Sequence, residues 1–207
     1  MTRNALSPII SLVILASTQT SIVRPIDEAP RSRTLTAFRS RLLRAIERRD
    51  TAAVLATVAP NIGLGFGGDA GIDEFRGMLK LPATWRDLHD ILTHGGTFGS
   101  DSTFYAPYWC NVIHLSVDAF EAWIVIDSAV PVRSAPRVAA SVVTSLTYAV
   151  VRKDRSVPGT PGWEPITLAD GRHGWVNAAQ LRSPIGMRVG LFRKGGRWWL
   201  GSYFGGD

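Results

Sequence analysis

The sequence predicts an α+β domain, with helices followed by an antiparallel sheet, together with a small all-β barrel. Apolar residues recur at helical spacing from Leu35 onward. Between residues 130 and 182, short apolar strands alternate with turn residues, and a Gly-Trp pair occurs at 162–163 and again at 174–175. The 207 residues are 45% hydrophobic and 19% charged, which is typical of a globular chain of one or two domains.

The first 18 residues predict an export signal. Arg3 supplies a positive charge, residues 5–16 are mostly apolar, and Ala16, Ser17 and Thr18 are small enough for a signal peptidase. The apolar run is shorter than the ~20 residues that span a bilayer, so no transmembrane segment is predicted. We therefore expect the protein to be exported, to the periplasm or outside the cell. The alternatives are an uncleaved apolar arm and a cytoplasmic protein with a chance N-terminus.

Changes in composition divide the chain into five segments. Residues 19–34 contain Pro25 and Pro30 without periodicity and are predicted to be a flexible linker. The single cysteine, Cys110, excludes an intramolecular disulfide, so stability must come from apolar burial. The predicted order is a signal peptide (1–18), a linker (19–34), an α+β domain (35–120), a barrel (121–183) and a C-terminal hairpin (184–207).

Four helices are predicted in the α+β domain. Asp50 is placed to cap the second helix, and Pro60 ends it. Thr84 with Asp87 resembles a capping arrangement for the fourth. The predicted helices run from Leu35, from Thr51 to Val58, from Gly71 to Leu79, and from Thr84 to a stop at Gly95-Gly96.

A β-hairpin is predicted at the C-terminus. Residues 187–193 and 197–204 flank a turn that contains Gly195-Gly196, and apolar residues alternate along both arms. Upstream, residues 104–109 form an aromatic loop or strand, and residues 120–126 form a strand. A two-stranded hairpin is marginally stable alone in water, so this one must cover another surface.

The barrel region carries several spaced motifs. Residues 131–136 read Pro-Val-Arg-Ser-Ala-Pro, Gly162-Trp163 begins a central strand, and residues 170–176 read Asp-Gly-Arg-His-Gly-Trp-Val. In this order the motifs resemble the bacterial Src-homology-3 domain over about residues 123–182. Pro131 stands where that family has Asn, which puts the first ladder hydrogen bond in doubt.

The resemblance implies a shallow aromatic groove that binds peptides, often cell-wall peptides or proline-rich segments. The ligand-groove candidates are Tyr148, Trp163, His173 and Trp175. The alternative is that both tryptophans only pack in the core or at its rim, because aromatic side chains bury large areas with or without a ligand.

The flanking domain resembles the nuclear-transport-factor-two-like (cystatin-like) superfamily. The features that carry this resemblance are residues 45–50, before a two-turn helix, and residues 196–200, as a final strand rich in tryptophan. It implies a cone-shaped α+β fold. The hairpin would then complete the sheet of the first domain and the barrel would be an insertion; covering the barrel instead is the alternative.

No catalytic group, metal site or cofactor is predicted. Cys110 and His114 lack the helix N-terminus and the neighbouring pattern of a cysteine peptidase. His89 and His94 are five residues apart on a helix and face different sides. The pattern Gly63-x-Gly65-x-x-Gly68 follows a helix and a proline rather than a strand, which argues against dinucleotide binding.

Two further groups of charged residues are possible sites. The acids in the first domain lie in helix first turns and glycine loops, where acids are usually structural: Asp69, Asp73, Glu74 and Asp101. A basic face on the first helix lacks the interleaved aromatics typical of nucleic-acid binding, so no nucleic-acid partner is predicted: Arg41, Arg44, Arg48 and Arg49.

The sequence thus predicts a non-catalytic binding or scaffolding protein of the cell envelope, whose partner is a cell-wall peptide or an envelope protein. The alternative is a small-molecule-binding or enzymatic cone domain with the barrel as an accessory. The pattern does not specify the oligomeric state.

Overall fold

The fold is α+β, as the sequence predicts. A computed structural model describes residues 20–65, 71–111 and 115–206, so the predicted export signal lies outside the described residues. Within those ranges the chain forms four α-helices and two β-sheets, one of five strands and one of seven. No helix in these ranges is long and apolar enough to cross a membrane.

The helices all belong to the first half of the chain. They are α1 (Arg33–Glu47), α2 (Thr51–Leu55), α3 (Ile72–Met78) and α4 (Pro82–Thr93). The first sheet contains β1 (Val58–Gly63), β2 (Thr97–Phe98), β3 (Phe104–Ala106), β11 (Arg188–Lys194) and β12 (Arg197–Phe204). The second contains β4 (Ala122–Val125), β5 (Val130–Arg133), β6 (Val142–Leu146), β7 (Val150–Lys153), β8 (Trp163–Thr167), β9 (His173–Asn177) and β10 (Leu181–Arg182).

The first two helices follow their sequence signals, except at the end of α2. The carboxylate of Asp50 accepts a hydrogen bond from the Ala53 N–H and caps α2 as predicted. The helix ends at Leu55 instead of Val58, because Val58 already belongs to β1. Pro60 lies within β1, which is an edge strand where a missing N–H is tolerated. The predicted apolar stripe of α1 is buried: Leu35, Phe38, Leu42, Ala45 and Ile46.

The fourth helix starts earlier than predicted. It begins at Pro82, a residue whose fixed φ suits the first helical position. The hydroxyl of Thr84 donates to the carbonyl of Met78, at 2.8 Å, so the predicted Thr84–Asp87 cap is wrong. The helix ends at Thr93, and Gly95 then takes a positive φ of 68°, in agreement with the predicted glycine stop.

The C-terminal hairpin lies at the centre of the first sheet. The strand order is β1-β12-β11-β3-β2, in which β12 pairs in parallel with β1 and β11 pairs antiparallel to β3. Leu191, Leu200 and Tyr203 point from the hairpin into the core beneath the helices and are almost completely buried. The chain therefore completes the first sheet only after it has formed the second sheet, which is an insertion between β3 and β11.

The second sheet is antiparallel throughout, with the order β10-β4-β7-β8-β9-β5-β6. Within the described residues its end strands do not pair with each other, so the hydrogen-bonded ladder is open where a closed barrel was predicted. Side chains from both ends still contact one apolar cluster: Leu181 of β10 belongs to it, and Leu146 of β6 packs against it. The sheet is thus curled around this cluster.

Residues 20–32, the N-terminal strap, form an ordered connection between the two sheets rather than the predicted flexible linker. Ile22 bridges Ala149 beside β7, while Asp27 bridges Gly96 beside β2. Val23 is buried in a cluster with residues of both parts of the molecule. The prediction failed because proline-rich composition reports local stiffness, whereas these contacts are long-range.

Candidate binding surface on the second sheet

The β8–β9 hairpin positions three of the four predicted groove residues. Trp163 begins β8 directly after Gly162, whose φ is +81°. Between the strands, Gly171 takes a φ of +84° and the Asp170 carboxylate accepts from the Arg172 N–H, so the predicted Asp-Gly turn is present. The two Gly-Trp pairs therefore belong to the two arms of one hairpin.

The register of this hairpin places both tryptophans on its outward face. Trp175 is directly opposite Pro165, and Trp163 lies two residues further along β8, so their side chains project to the same side. Ile166 and Val176 occupy alternate positions of the two strands, project to the other side and are fully buried in the core. Because side chains alternate along a strand, the core face and the indole face are distinct.

Neither indole belongs to the buried clusters that the described residues form. Both tryptophans are partly buried, and Trp175 pairs with Arg133 of the neighbouring strand β5. Beyond Arg133, in β6, Val142 is 53% exposed. We call this surface, formed by Trp163, His173, Trp175, Arg133 and Val142, the outer strip.

The backbones of β9 and β5 approach closely beneath the outer strip. A Cβ atom added to Gly174 would lie 2.3 Å from a methyl group of Val132. A residue with a Cβ atom would not fit at position 174, so glycine is required there, as the sequence motif predicts. This contact holds Trp175 and Arg133 side by side.

The imidazole of His173 is held by Asp154, which directly follows β7. Its Nδ1 lies 2.7 Å from a carboxylate oxygen of Asp154, whereas most of the imidazole is exposed to solvent. Hydrogen bonds from Ser156, followed by the contact with His173, hold the pKa of Asp154 below its ordinary value. The ionised acid orients the ring at one end of the outer strip.

Tyr148 is not brought together with Trp163. Its carbonyl accepts a hydrogen bond from the Val23 N–H at 2.7 Å, in the strap, just before β7. In the β7–β8 register Arg152 is opposite Thr167, so Tyr148 and Trp163 lie beyond opposite ends of that ladder. The sequence could not reveal this, because the resemblance gives the order of the loops but not their paths.

A pocket of about 420 Å³ beside the end of β7 and the start of β8 is not predicted from the sequence. Trp123, Lys153 and Glu164 line it, and the Lys153 ammonium lies 4.5 Å from the centre of the Trp123 ring. Burial lowers the pKa of Lys153, as does the nearby charge of Arg155. All three residues occupy core-facing positions at strand ends, a signal that strand alternation alone could have given.

Cys110 is unsuited to nucleophilic catalysis. It lies in a short 3₁₀ helix, Tyr108–Asn111, and burial raises the pKa of its thiol to about 11. The thiol is thus protonated at neutral pH, whereas the reactive form is the thiolate. His114, the other half of the predicted pair, lies outside the described residues.

The other titratable candidates make separate local contacts. His89 is near Glu47 and His94 is near Asp90, and no group of three metal-ligating side chains occurs in the part of the chain that the structure describes. Of the acids considered from sequence, Asp69 lies outside that part. Asp73 pairs with Arg76, Glu74 is exposed, and Asp101 accepts from Tyr105.

Comparison of the chain with protein-family models, with curated proteins and with solved structures finds no match. Its function must therefore be argued from the geometry of its surfaces.

Proposed function

We propose that the protein is a non-catalytic binding module of the cell envelope, in which the outer strip binds an extended peptide. The second sheet would be a Src-homology-3-like module, and the first domain its nuclear-transport-factor-two-like support. The observation that carries the proposal is the β8–β9 register, which directs Trp163 and Trp175 outward from a separate, fully apolar core.

The chemistry of the outer strip suits a peptide with carboxylate groups, such as a cell-wall peptide. Trp163 and Trp175 are diagonal neighbours about 7–8 Å apart, a spacing at which two indoles can contact successive residues of an extended chain. The Arg133 guanidinium donates one hydrogen bond to the Ala140 carbonyl at 2.8 Å, and its other N–H groups can bind a carboxylate.

The proposal also includes export, for which residues 1–18 provide the sequence signal. Cell-wall peptides are accessible only outside the cytoplasm, so the two parts of the proposal require each other. Cell fractionation tests this part: a tagged, full-length chain found only in the cytoplasm would contradict it.

The binding part is tested with Trp163→Ala and Trp175→Ala. A truncated anchor indole commonly weakens a complex by about 2 kcal/mol, or roughly 30-fold. We expect each variant to lose at least that much affinity for purified peptidoglycan in co-sedimentation and for a soluble stem peptide in fluorescence anisotropy.

The matched control is Trp199→Ala, because Trp199 is a half-exposed tryptophan of the first sheet, far from the strip in sequence and topology. It should bind as the wild type does. Circular dichroism must show that all three variants are folded. Wild-type affinity in folded Trp163→Ala and Trp175→Ala proteins would refute the proposal.

A further inference from the structure

A groove of about 640 Å³ lies between the helices of the first domain and the segment that leaves the second sheet, and it shares no residue with the outer strip. It runs between the end of α1, the exposed side of α4 and the segment that follows β10. Its apolar wall includes Trp85, Ile91, Trp109 and Met187. The indole N–H of Trp85 donates to the Leu79 carbonyl at 2.7 Å, so its ring meets the groove as an apolar surface. Junctions between structural units are common places for small-molecule sites.

Each carboxylate that lines this groove has a contact within the protein, and Asp90 pairs with a permanently charged group. Asp90 binds the guanidinium of Arg182 through both oxygens, at 2.9 and 3.0 Å. Glu47 lies 3.8 Å from His89. Asp87 accepts a hydrogen bond from the hydroxyl of Tyr203, at 3.4 Å.

Two of the guanidinium groups that line the groove are not engaged. The side chains of Arg49 and Arg86 have no hydrogen-bond or ion-pair partner among residues 20–65, 71–111 and 115–206. Both residues are exposed, and they stand on different elements, the turn after α1 and the first half of α4. The groove therefore offers a ligand two guanidinium groups that no carboxylate of the described residues neutralises.

Arg49 also has a backbone conformation that its side chain disfavours. It follows α1 with a φ of +52°, the left-handed region in which glycine is the preferred residue after a helix. A residue with a Cβ is strained there, and such strain is commonly retained where the side chain has a function. The position thus combines a conformational cost with an unpaired guanidinium that lines a groove.

We propose that the groove binds a small amphipathic organic anion. The apolar body of the ligand would lie against Trp85, Ile91 and Met187, and its carboxylate would bind Arg49 and Arg86. A volume of about 640 Å³ is within the range of small-molecule sites. This site is independent of the outer strip and does not rest on the peptide-binding proposal.

The test uses the full chain and a matched pair of probes, decanoate and decanol, which share an alkyl chain but differ in charge. We expect isothermal titration calorimetry to show decanoate binding at least tenfold more tightly than decanol. Arg49→Gly and Arg86→Ala should each weaken decanoate binding at least fivefold and leave decanol binding unchanged.

Arg49→Gly also separates binding from folding, because glycine relieves the left-handed strain. Its Tm should equal or exceed that of the wild type while its affinity for decanoate falls. Arg48→Ala is the control for charge, since Arg48 is the exposed neighbour with an ordinary helical φ of −84°. Trp163→Ala, which tests the outer strip, should bind decanoate normally.

Three results would overturn this assignment: no decanoate binding at millimolar concentration, equal affinity for decanoate and decanol, or wild-type affinity in both folded Arg49→Gly and Arg86→Ala. None of these results bears on peptide binding at the outer strip.

Discussion

The contact between Asp90 and Arg182 joins the helical layer to the inserted sheet. Asp90 lies in α4 and Arg182 in β10, 92 residues apart in sequence. Burial alone would raise the pKa of Asp90. The hydrogen bond and the charge of Arg182 outweigh the effect of burial, so the pKa of Asp90 lies below its ordinary value. A carboxyl group whose pKa is lower in the folded state stabilises the fold above its unfolded-state pKa. That stabilisation is lost as the pH falls through the folded-state pKa.

Asp90→Asn should therefore reduce the free energy of unfolding at pH 7 by about 1 kcal/mol, a modest figure because both side chains are partly exposed. As the pH is lowered from about 4 toward 2, the wild type should approach the variant. Urea unfolding at several pH values measures both quantities.

The control for this experiment is Asp87→Asn, on the same helix, because Asp87 contacts a tyrosine hydroxyl instead of a guanidinium. It should show a smaller effect at pH 7. A difference between wild type and Asp90→Asn that stays constant from pH 7 to pH 2 would contradict the role given to Arg182.

At the scale of elements, the terminal hairpin is the part on which the first sheet depends. β11 and β12 are its central strands and join β3 on one side to β1 on the other. Their turn is formed by Gly195 and Gly196, both with positive φ, which suits a tight two-residue hairpin. Val189, Leu191, Trp198, Leu200 and Tyr203 supply much of the apolar layer that the helices cover.

Deletion of residues 184–207 should consequently unfold the first domain. The remaining strands would lose their hydrogen-bond partners, and α1 and α4 would lose the surface on which they pack. We expect the far-ultraviolet helical signal to show no cooperative melting transition. A milder variant, Leu200→Ala, should stay folded but lose about 2–5 kcal/mol, because Leu200 is fully buried. A truncated chain that melts like the wild type would exclude this dependence.

The sequence reveals those elements whose signal is local. The stripe of α1, the Asp50 cap, the Gly-Gly hairpin and the Asp-Gly turn are all present as predicted. The end of α2 was misplaced because β1 is specified by its parallel pairing with β12, about 140 residues away in the chain. Residue periodicity carries no information about such a partner.

The candidate sites follow the same division. Trp163, His173 and Trp175 could be grouped from sequence because one hairpin carries them, whereas Tyr148 could not be placed. The groove of about 640 Å³ beside α4 is not predictable from the sequence, because Arg49, Arg86 and Met187 come from three separate segments that only the complete fold brings together.

At the scale of the whole molecule, the strap couples the inserted sheet to the first domain. The Ser21 carbonyl accepts a hydrogen bond from the Val150 N–H at 2.8 Å, and the Val23 N–H donates to the Tyr148 carbonyl. Residues 21–23 therefore pair with the start of β7 as an additional strand would. Val23 also contacts a mixed cluster with Trp109 of the first domain and Ile124 of the second sheet. The two parts thus share one buried layer.

Removal of residues 1–24 should separate the unfolding of the two parts, whereas removal of residues 1–19 should not. The shorter deletion retains all strap contacts; the longer one removes Val23 and both hydrogen bonds to the second sheet. Differential scanning calorimetry should show one transition for the control and two for the longer deletion. A single, unshifted transition in both proteins would show that the strap contributes nothing to the coupling.

The topology of the insertion also has a consequence for how this protein could evolve. Its first and last strands, β4 and β10, are antiparallel neighbours with Ile124 opposite Arg182, so the chain enters and leaves the second sheet at almost the same point. A segment whose two ends lie about 5 Å apart can be exchanged for a short turn, or transplanted into a loop of another protein, without stretching its host. The second sheet could accordingly be replaced during evolution while the first sheet and its helices are kept.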